Sequence, residues 1–279
     1  MIEALLLIGL VPVALFLLAY LHSWLKLRRL GYLCVEDPPL YLINLPQSSA
    51  RFERVQTMFE KLGLPRPERV PGVDGSRFKG ETGGWAPGVR ERFVAEGVLT
   101  ERARLTPGQL GCALAHLAVW RRIVAEDVDW AVIFEDDIDI VNPEARTDLF
   151  RRFDSIPAGA DVVFLHRRYW ALPPRVLPFL RGKRVPFKGC GNEGYLISRV
   201  GAQKAIDIVT PLYTTKDVQL GHYFNNLKFV DQTCFFTKAK RTKLNAYLLD
   251  TPIVVENDRG VSEMDIIDGI YERGPEERP

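Results

Sequence analysis

Little in this sequence favours zinc, disulfide or nucleic-acid chemistry. Only four of its 279 residues are cysteine, and Cys34, Cys112, Cys190 and Cys234 are far apart with no CxxC pair among them. That removes the common zinc and redox spacings and leaves them to be read as unpaired thiols in a reducing compartment. An excess of one charge is also missing. With 37 Lys plus Arg against 35 Asp plus Glu, no strong field gathers nucleic acid non-specifically. No P-loop or kinase-type glycine motif occurs, which disfavours a metal-dependent phosphotransferase. No internal repeat of useful length is visible. What is present is apolar bulk: 47% of the residues are hydrophobic, enough to bury the core of one large domain or two small ones.

The first two dozen residues differ in kind from the rest. Ala4 to Leu21 runs almost without a polar side chain and is followed by Lys26, Arg28 and Arg29. A run of roughly 18 residues is just long enough to cross a hydrocarbon core about 30 Å thick. A signal peptide carries its positive charge before the apolar run and a small-residue cleavage site after it. Here the basic flank follows, so residues 1–25 are expected to be a retained membrane anchor. The positive-inside rule then keeps the remainder in the cytoplasm, with the secretory-pathway lumen as the alternative.

Beyond Pro38 and Pro39 the pattern becomes that of an α/β domain. Leu40 to Leu45 reads as a buried strand, and Phe52, Val55, Met58, Phe59 and Leu62 recur at helical steps. Residues 71–88 are rich in Gly and Pro and are expected to form a long surface loop. Thr106 before Pro107 signals a helix start, with the helix running to about Ala125. One stripe of that helix is Leu110, Ala113, Leu114 and Leu117. Gln109, Cys112, His116 and Trp120 make a second. Further strands are expected at Trp130 to Phe134, Asp161 to Leu165 and Gly194 to Ile197, the last leading into a helix capped by Ser198. The charged and glycine-rich residues 258–279 are expected to be a flexible tail.

The sharpest local signal is Glu135-Asp136-Asp137 at the end of a buried strand. Adjacent carboxylates cannot sit unpaired in a dry core, and the carboxyl ends of strands in open α/β sheets are where ligands bind. A hard divalent cation completed by substrate phosphates suits such a cluster; a solvated acidic turn is the bland alternative. Cys112 and His116 at i and i+4 lack a further soft ligand nearby in sequence, so a zinc site is disfavoured.

Taken together, several stretches resemble the family 25 glycosyltransferases, which include bacterial lipooligosaccharide galactosyltransferases and procollagen galactosyltransferases. The stretches are Tyr41 to Leu45 with Arg51 and Arg54, Val73-Asp74-Gly75, Leu105 to Trp120, and Val132 to Asp137. They continue with Asp161 to Leu165, Gly194 to Ser198 with Gly201 and Ala202, and Asp217. The resemblance implies a GT-A type fold with a central mostly parallel sheet over residues 38–257. It also implies a UDP-sugar donor, often UDP-galactose, and inversion with Mn²⁺ or Mg²⁺. Carried over residue by residue, Asp136 and Asp137 take the metal, while Asn44, Arg51, Gly111, Cys112, His116 and Glu135 surround the nucleotide-sugar. This chain departs from the family in having Ala115 where a serine is usual and Val218 where a histidine often follows Asp217.

Inversion needs a base for the attacking hydroxyl. Asp217 is the first candidate, because it lies in a separate segment able to approach from the acceptor side; a carboxylate answering a helix N-terminus is its plainer role. Glu193 is the second candidate. The acceptor expected is a glycan, a glycolipid or a protein-linked sugar, with no nucleic acid. A catalytically silent, membrane-tethered carbohydrate-binding or assembly module of the same fold is the alternative function. On the anchor reading, protease added to sealed vesicles on the cytoplasmic side should cut the domain after residue 38, and protection of that domain would reverse the topology.

Overall fold

The structure is a computed structural model, and it describes residues 31–141, 150–166, 183–184, 192–223, 244–248 and 252–257. The expected anchor at 1–25, its basic flank and the tail at 258–279 lie outside the described residues. Among the described residues no helix is long and apolar enough to cross a membrane.

The α/β class is as expected. Strands β1 (Tyr32–Glu36), β2 (Leu40–Asn44) and β3 (Glu68–Pro71) open the chain, with helix α1 (Ser49–Lys61) between the last two. A 3-10 turn (Gly75–Phe78), α2 (Val89–Ala95) and α3 (Pro107–Ala125) precede β4 (Trp130–Glu135), β5 (Ile138–Ile140), β6 (Arg152–Pro157), β7 (Val162–Phe164) and β8 (Lys183–Arg184). The sequence of elements then runs β9 (Gly194–Ser198), α4 (Arg199–Val209), α5 (Lys216–Gly221), β10 (Ala246–Leu248) and β11 (Val254–Glu256). Seven strands form the central sheet in the order β3-β2-β4-β9-β7-β10-β8. Only β9 and β8 run against the other five, since β9 is antiparallel to both β4 and β7 and β8 is antiparallel to β10.

Side chains alternate across the sheet, and each face has its own core. Tyr41, Ile43, Ala131 and Ile133 join α3 and α4 on one face. Leu40, Leu42, Val132 and Phe134 join Val55 and Phe59 of α1 on the other. Strands buried on both faces read as continuous apolar runs, which is why β2 and β4 stand out in the sequence. The short pairs β1–β6 and β5–β11 lie outside the main sheet and carry no such run. Tyr32–Glu36 therefore reads as a connector although it is a strand.

Helix α3 begins as its sequence demands. Thr106 accepts from Gln109 N, Gln109 returns a bond to Thr106 N, and Pro107 occupies the first turn. It is buried along both of its stripes rather than one, because the sheet, α4 and the 73–78 turn enclose it. Gly75 and Gly111 permit this approach. A Cβ on Gly111 would stand 2.5 Å from Val73 O and 2.9 Å from Gly75 N. A Gly111→Ala substitution gains up to about 1 kcal/mol of helix propensity but meets backbone atoms that cannot turn aside, at a cost of about 1–3 kcal/mol. Its denaturant midpoint should therefore fall, and a midpoint above the parent's would show that the turn yields.

Candidate functional site

The acids at the end of β4 are sorted by the alternation of the strand that delivers them. Glu135 follows Ala131 and Ile133 to the α3 face, and Asp136 follows Val132 and Phe134 to the α1 face. Asp137 begins the turn between β4 and β5.

On the α3 face a buried chain of hydrogen bonds receives Glu135. Trp120 Nε1–H donates to the Tyr195 hydroxyl at 2.9 Å, and that hydroxyl lies 2.7 Å from His116 Nδ1. His116 Nε2 stands 2.9 Å from Glu135 Oε1. A carboxylate can only accept, so Nε2 carries the proton and Nδ1 accepts from Tyr195. Burial and the Lys216 ammonium push His116 down to about 4 despite the opposing pull of Glu135, so the ring is neutral at pH 7. Burial raises the Glu135 carboxyl, but Lys216 and the His116 hydrogen bond outweigh it and hold the group below the usual carboxylate range. Lys216 Nζ lies 3.4 Å from the same Glu135 oxygen. Cys112 is pushed up to about 12 by burial and stays a thiol. The ligand atoms of Cys112, His116 and Glu135 lie within 4.8 Å of one another. Yet His116 and Glu135 satisfy each other, and Lys216 supplies the positive charge that an ion would bring there.

On the α1 face Asp136 is held from both sides. Asn44 Nδ2 donates to its Oδ2 at 2.6 Å, and Arg51 Nη1 stands 3.4 Å from Oδ1. Arg69 fixes Asn44 in turn by donating to its Oδ1 at 2.5 Å and to the carbonyls of Leu45 and Pro46. Arg54 braces the turn itself through Asp139 Oδ1 at 2.8 Å and the carbonyls of Asp136 and Ile138. Asp137 differs, because its Oδ1 is buried and has no hydrogen-bond partner. Burial first, then the charges of Glu135, Asp136 and Glu193, push Asp137 up to about 8 against the lowering effect of Arg51.

These groups open onto one cavity of about 610 Å³, open solvent included. Ile43, Asn44 and Leu45 line it from β2, Gly72 and Val73 from beyond β3, Gly108, Cys112, Ala115 and His116 from α3, and Arg51 and the three acids complete it. A wider groove between α1 and β5 shares Arg51, Asp136 and Asp137 with the cavity.

Most of the residues singled out in the sequence therefore converge: Asn44, Arg51, Cys112, His116, Glu135, Asp136 and Asp137 all line the cavity. Gly111 does not; it packs α3 against the backbone of Val73 and Gly75. Asp217 is half-buried in the first turn of α5, and its charge acts on Cys112, His116 and Lys216. Glu193 is 2% exposed. Its carbonyl accepts from Glu135 N at 3.0 Å, and its carboxylate lies 3.0 Å from His166 Nδ1. Neither candidate base lines the cavity. Sequence reasoning placed Tyr195 in the Gly194–Ser198 stretch without giving it a role, and it missed Lys216 and Arg69, since lysine and arginine are ordinarily surface residues.

Residues 37–154 match the sequence model of glycosyltransferase family 25 (LPS biosynthesis protein), so the resemblance read from the motifs is borne out. A glycosyltransferase 25 family member of Drosophila pseudoobscura pseudoobscura is 32% identical over 99 residues, covering 36% of this chain and 15% of its own length. Procollagen galactosyltransferase 2 of Homo sapiens is 23% identical over 176 residues, covering 60% of this chain and 27% of its own. The match thus spans less than a third of either relative. Among solved structures, a glycosyltransferase involved in glycosylation of the major capsid of PBCV-1 aligns at 10% identity and a TM-score of 0.38, over 84% of this chain and 98% of its own.

The Asp137 carboxyl supplies a test on stability. An acid whose folded pKa of about 8 exceeds the unfolded value binds more protons when folded, so native stability falls as pH rises between about 4 and 8. In EDTA, Asp137→Asn should melt above the parent at pH 8 and level with it near pH 3.5. Equal melting temperatures across that range would show that Asp137 is not an uncompensated charge.

Proposed function

From the match of residues 37–154 to glycosyltransferase family 25, we propose that the protein transfers a hexose from a UDP-sugar, UDP-galactose first. The acceptor is a hydroxyl of a glycan, lipooligosaccharide or protein-linked sugar, and transfer inverts the anomeric carbon with a divalent cation, Mn²⁺ or Mg²⁺. The observation that carries this reading is the uneven pairing of the acid step. Lys216 meets Glu135 and Arg51 meets Asp136, while Asp137 Oδ1 is buried without a hydrogen-bond partner. An oxygen-only donor set with one unmet carboxylate oxygen, opening on a cavity, fits a hard cation. Asp137 would hold it, with Asp136 beside it. A bound cation neutralises charge building on the departing diphosphate.

The protein's own groups supply the rest. Arg51, on the cavity wall, adds a guanidinium that suits phosphate oxygens. Gly72 and Val73 line the cavity just beyond β3, and the nucleoside is assigned to that part of it. The proton of the attacking hydroxyl goes to Asp217 in this proposal, because Asp217 is half-buried and able to meet an acceptor, whereas Glu193 is enclosed. Anchoring by residues 1–25, with residues 38–257 in the cytoplasm, completes the proposal on the strength of the apolar run and its basic flank.

Asp217→Asn separates the roles open to that residue. As the base, it should retain donor affinity by calorimetry while turnover falls roughly 10²- to 10⁴-fold. Near-normal turnover moves the role to Glu193, for which Glu193→Gln is the matching variant. Wild-type protein that binds UDP-galactose with Mn²⁺ yet turns over no donor would support the silent binding module instead.

A further inference from the structure

Behind the acid step lies a lysine that neither the acids nor the α3 stripe bring to notice. Lys216, the first residue of α5, is 6% exposed, and its Nζ is 3.4 Å from Glu135 Oε1. The same oxygen accepts from His116 Nε2 at 2.9 Å. Both donors fall on Oε1, which leaves Oε2 to the cavity that Glu135 lines. One hydrogen bond lets a carboxylate swing about it. Two donors converging on one oxygen fix its plane, and with it the direction of the other oxygen.

The pairing is not what ties α5 to the fold. Gln219 already does that: its Oε1 accepts from Tyr213 N at 2.8 Å, and its Nε2 donates to the carbonyls of Ile208 and Pro211 at 2.7 and 3.0 Å. Burying an ammonium beside an acid is costly unless the geometry is used, and the geometry here points into the cavity.

The two ends of the cavity are distinguishable. Leu45, Gly72 and Val73 lie where the chain leaves β2 and β3, whereas Glu135, with His116 on its Oε1, stands beside Lys216 of α5. On the donor reading above, on which this inference rests, the diphosphate lies at Asp136 and Asp137 and the nucleoside at the β2–β3 end. The hexose then falls beside α5, which carries Asp217. We propose that Lys216 is a positioning residue that, together with His116, presents Glu135 Oε2 as the acceptor for a hydroxyl of the donor's hexose. A carboxylate so presented takes a hydroxyl proton as a hydrogen-bond donor and repels phosphate, so it selects the sugar end of the donor.

UDP lacks the hexose, and that supplies the test. Calorimetry in Mn²⁺ with UDP and with UDP-galactose is carried out on the parent, Lys216→Met, Lys216→Arg, Glu135→Gln and the Lys216→Met/Glu135→Gln double variant. Lys216→Met and Glu135→Gln should each lose about 10- to 100-fold in affinity for UDP-galactose, the scale of a hydrogen bond to a charged group, with affinity for UDP within about twofold of the parent. The double variant should lose no more than the worse single variant, because the lysine acts through the glutamate. Lys216→Arg, which keeps the charge, should recover most of the loss. Equal losses for the two ligands would make Lys216 a structural tie and overturn the inference, as would unchanged affinity for UDP-galactose. If Lys216→Met does not fold, Glu135→Gln carries the same comparison of ligands. A parent protein that binds neither ligand overturns the donor reading itself, an outcome distinct from a parent that binds both while its variants do not discriminate.

Discussion

Side chains alternate along a strand, and at the end of β4 that alternation has to dispose of three consecutive carboxylates. No dry core tolerates them together. The strand therefore sends Glu135 to one face of the sheet and Asp136 to the other, and the surrounding structure is arranged to meet each. On the α3 face, Lys216 and a neutral His116 converge on Glu135. On the α1 face, Asn44 and Arg51 converge on Asp136, and both lie within reach because β2 runs parallel beside β4 and leads directly into α1. Asp137, which also lines the cavity, is left over. Its Oδ1 is the one side-chain oxygen of the acid step that is buried without a hydrogen-bond partner among the described residues, which makes it the natural place for a charge brought from outside.

The helix α3 is as much a part of this arrangement as the acids. Its capping box fixes where it starts, and Gly111 lets it lie against the backbone of Val73 and Gly75. That contact sets the height at which Cys112 and His116 face β4. The Trp120–Tyr195–His116–Glu135 chain then crosses from helix to sheet and back. Each member is satisfied by the next, and a fully satisfied buried network specifies a single geometry. The rigidity of the cavity wall follows from that network, and the chemistry of the cavity follows from what the network leaves unsatisfied.

Much of this was legible in the sequence where local rules act alone. The apolar runs of β2 and β4, the Thr106–Pro107 helix start, the Ser198 cap and the acid step all carry their own signals, and each is found in its place. The residues gathered at the cavity were legible as a set because Asn44, Arg51, Cys112, His116 and the acids sit in motifs. What was not legible depends on contacts between distant segments. The pairing of β1 with β6 has no apolar run to announce it. Arg69 is on a strand whose periodicity says nothing of Asn44. Lys216 was passed over for its neighbour Asp217, since a lysine in a polar stretch gives no sign that folding will bury it against Glu135, 81 positions away.

The central claim is that the acid step holds a divalent cation at Asp137 and through it the diphosphate of a nucleotide-sugar. Anomalous diffraction at the manganese edge from crystals grown with UDP and Mn²⁺ tests it most directly. The account predicts a manganese peak within coordination distance of Asp137, with the diphosphate oxygens completing its shell in the cavity between β2, β3 and α3. A nucleotide bound there with no metal at Asp137, or a metal held by Cys112, His116 and Glu135 instead, would contradict it.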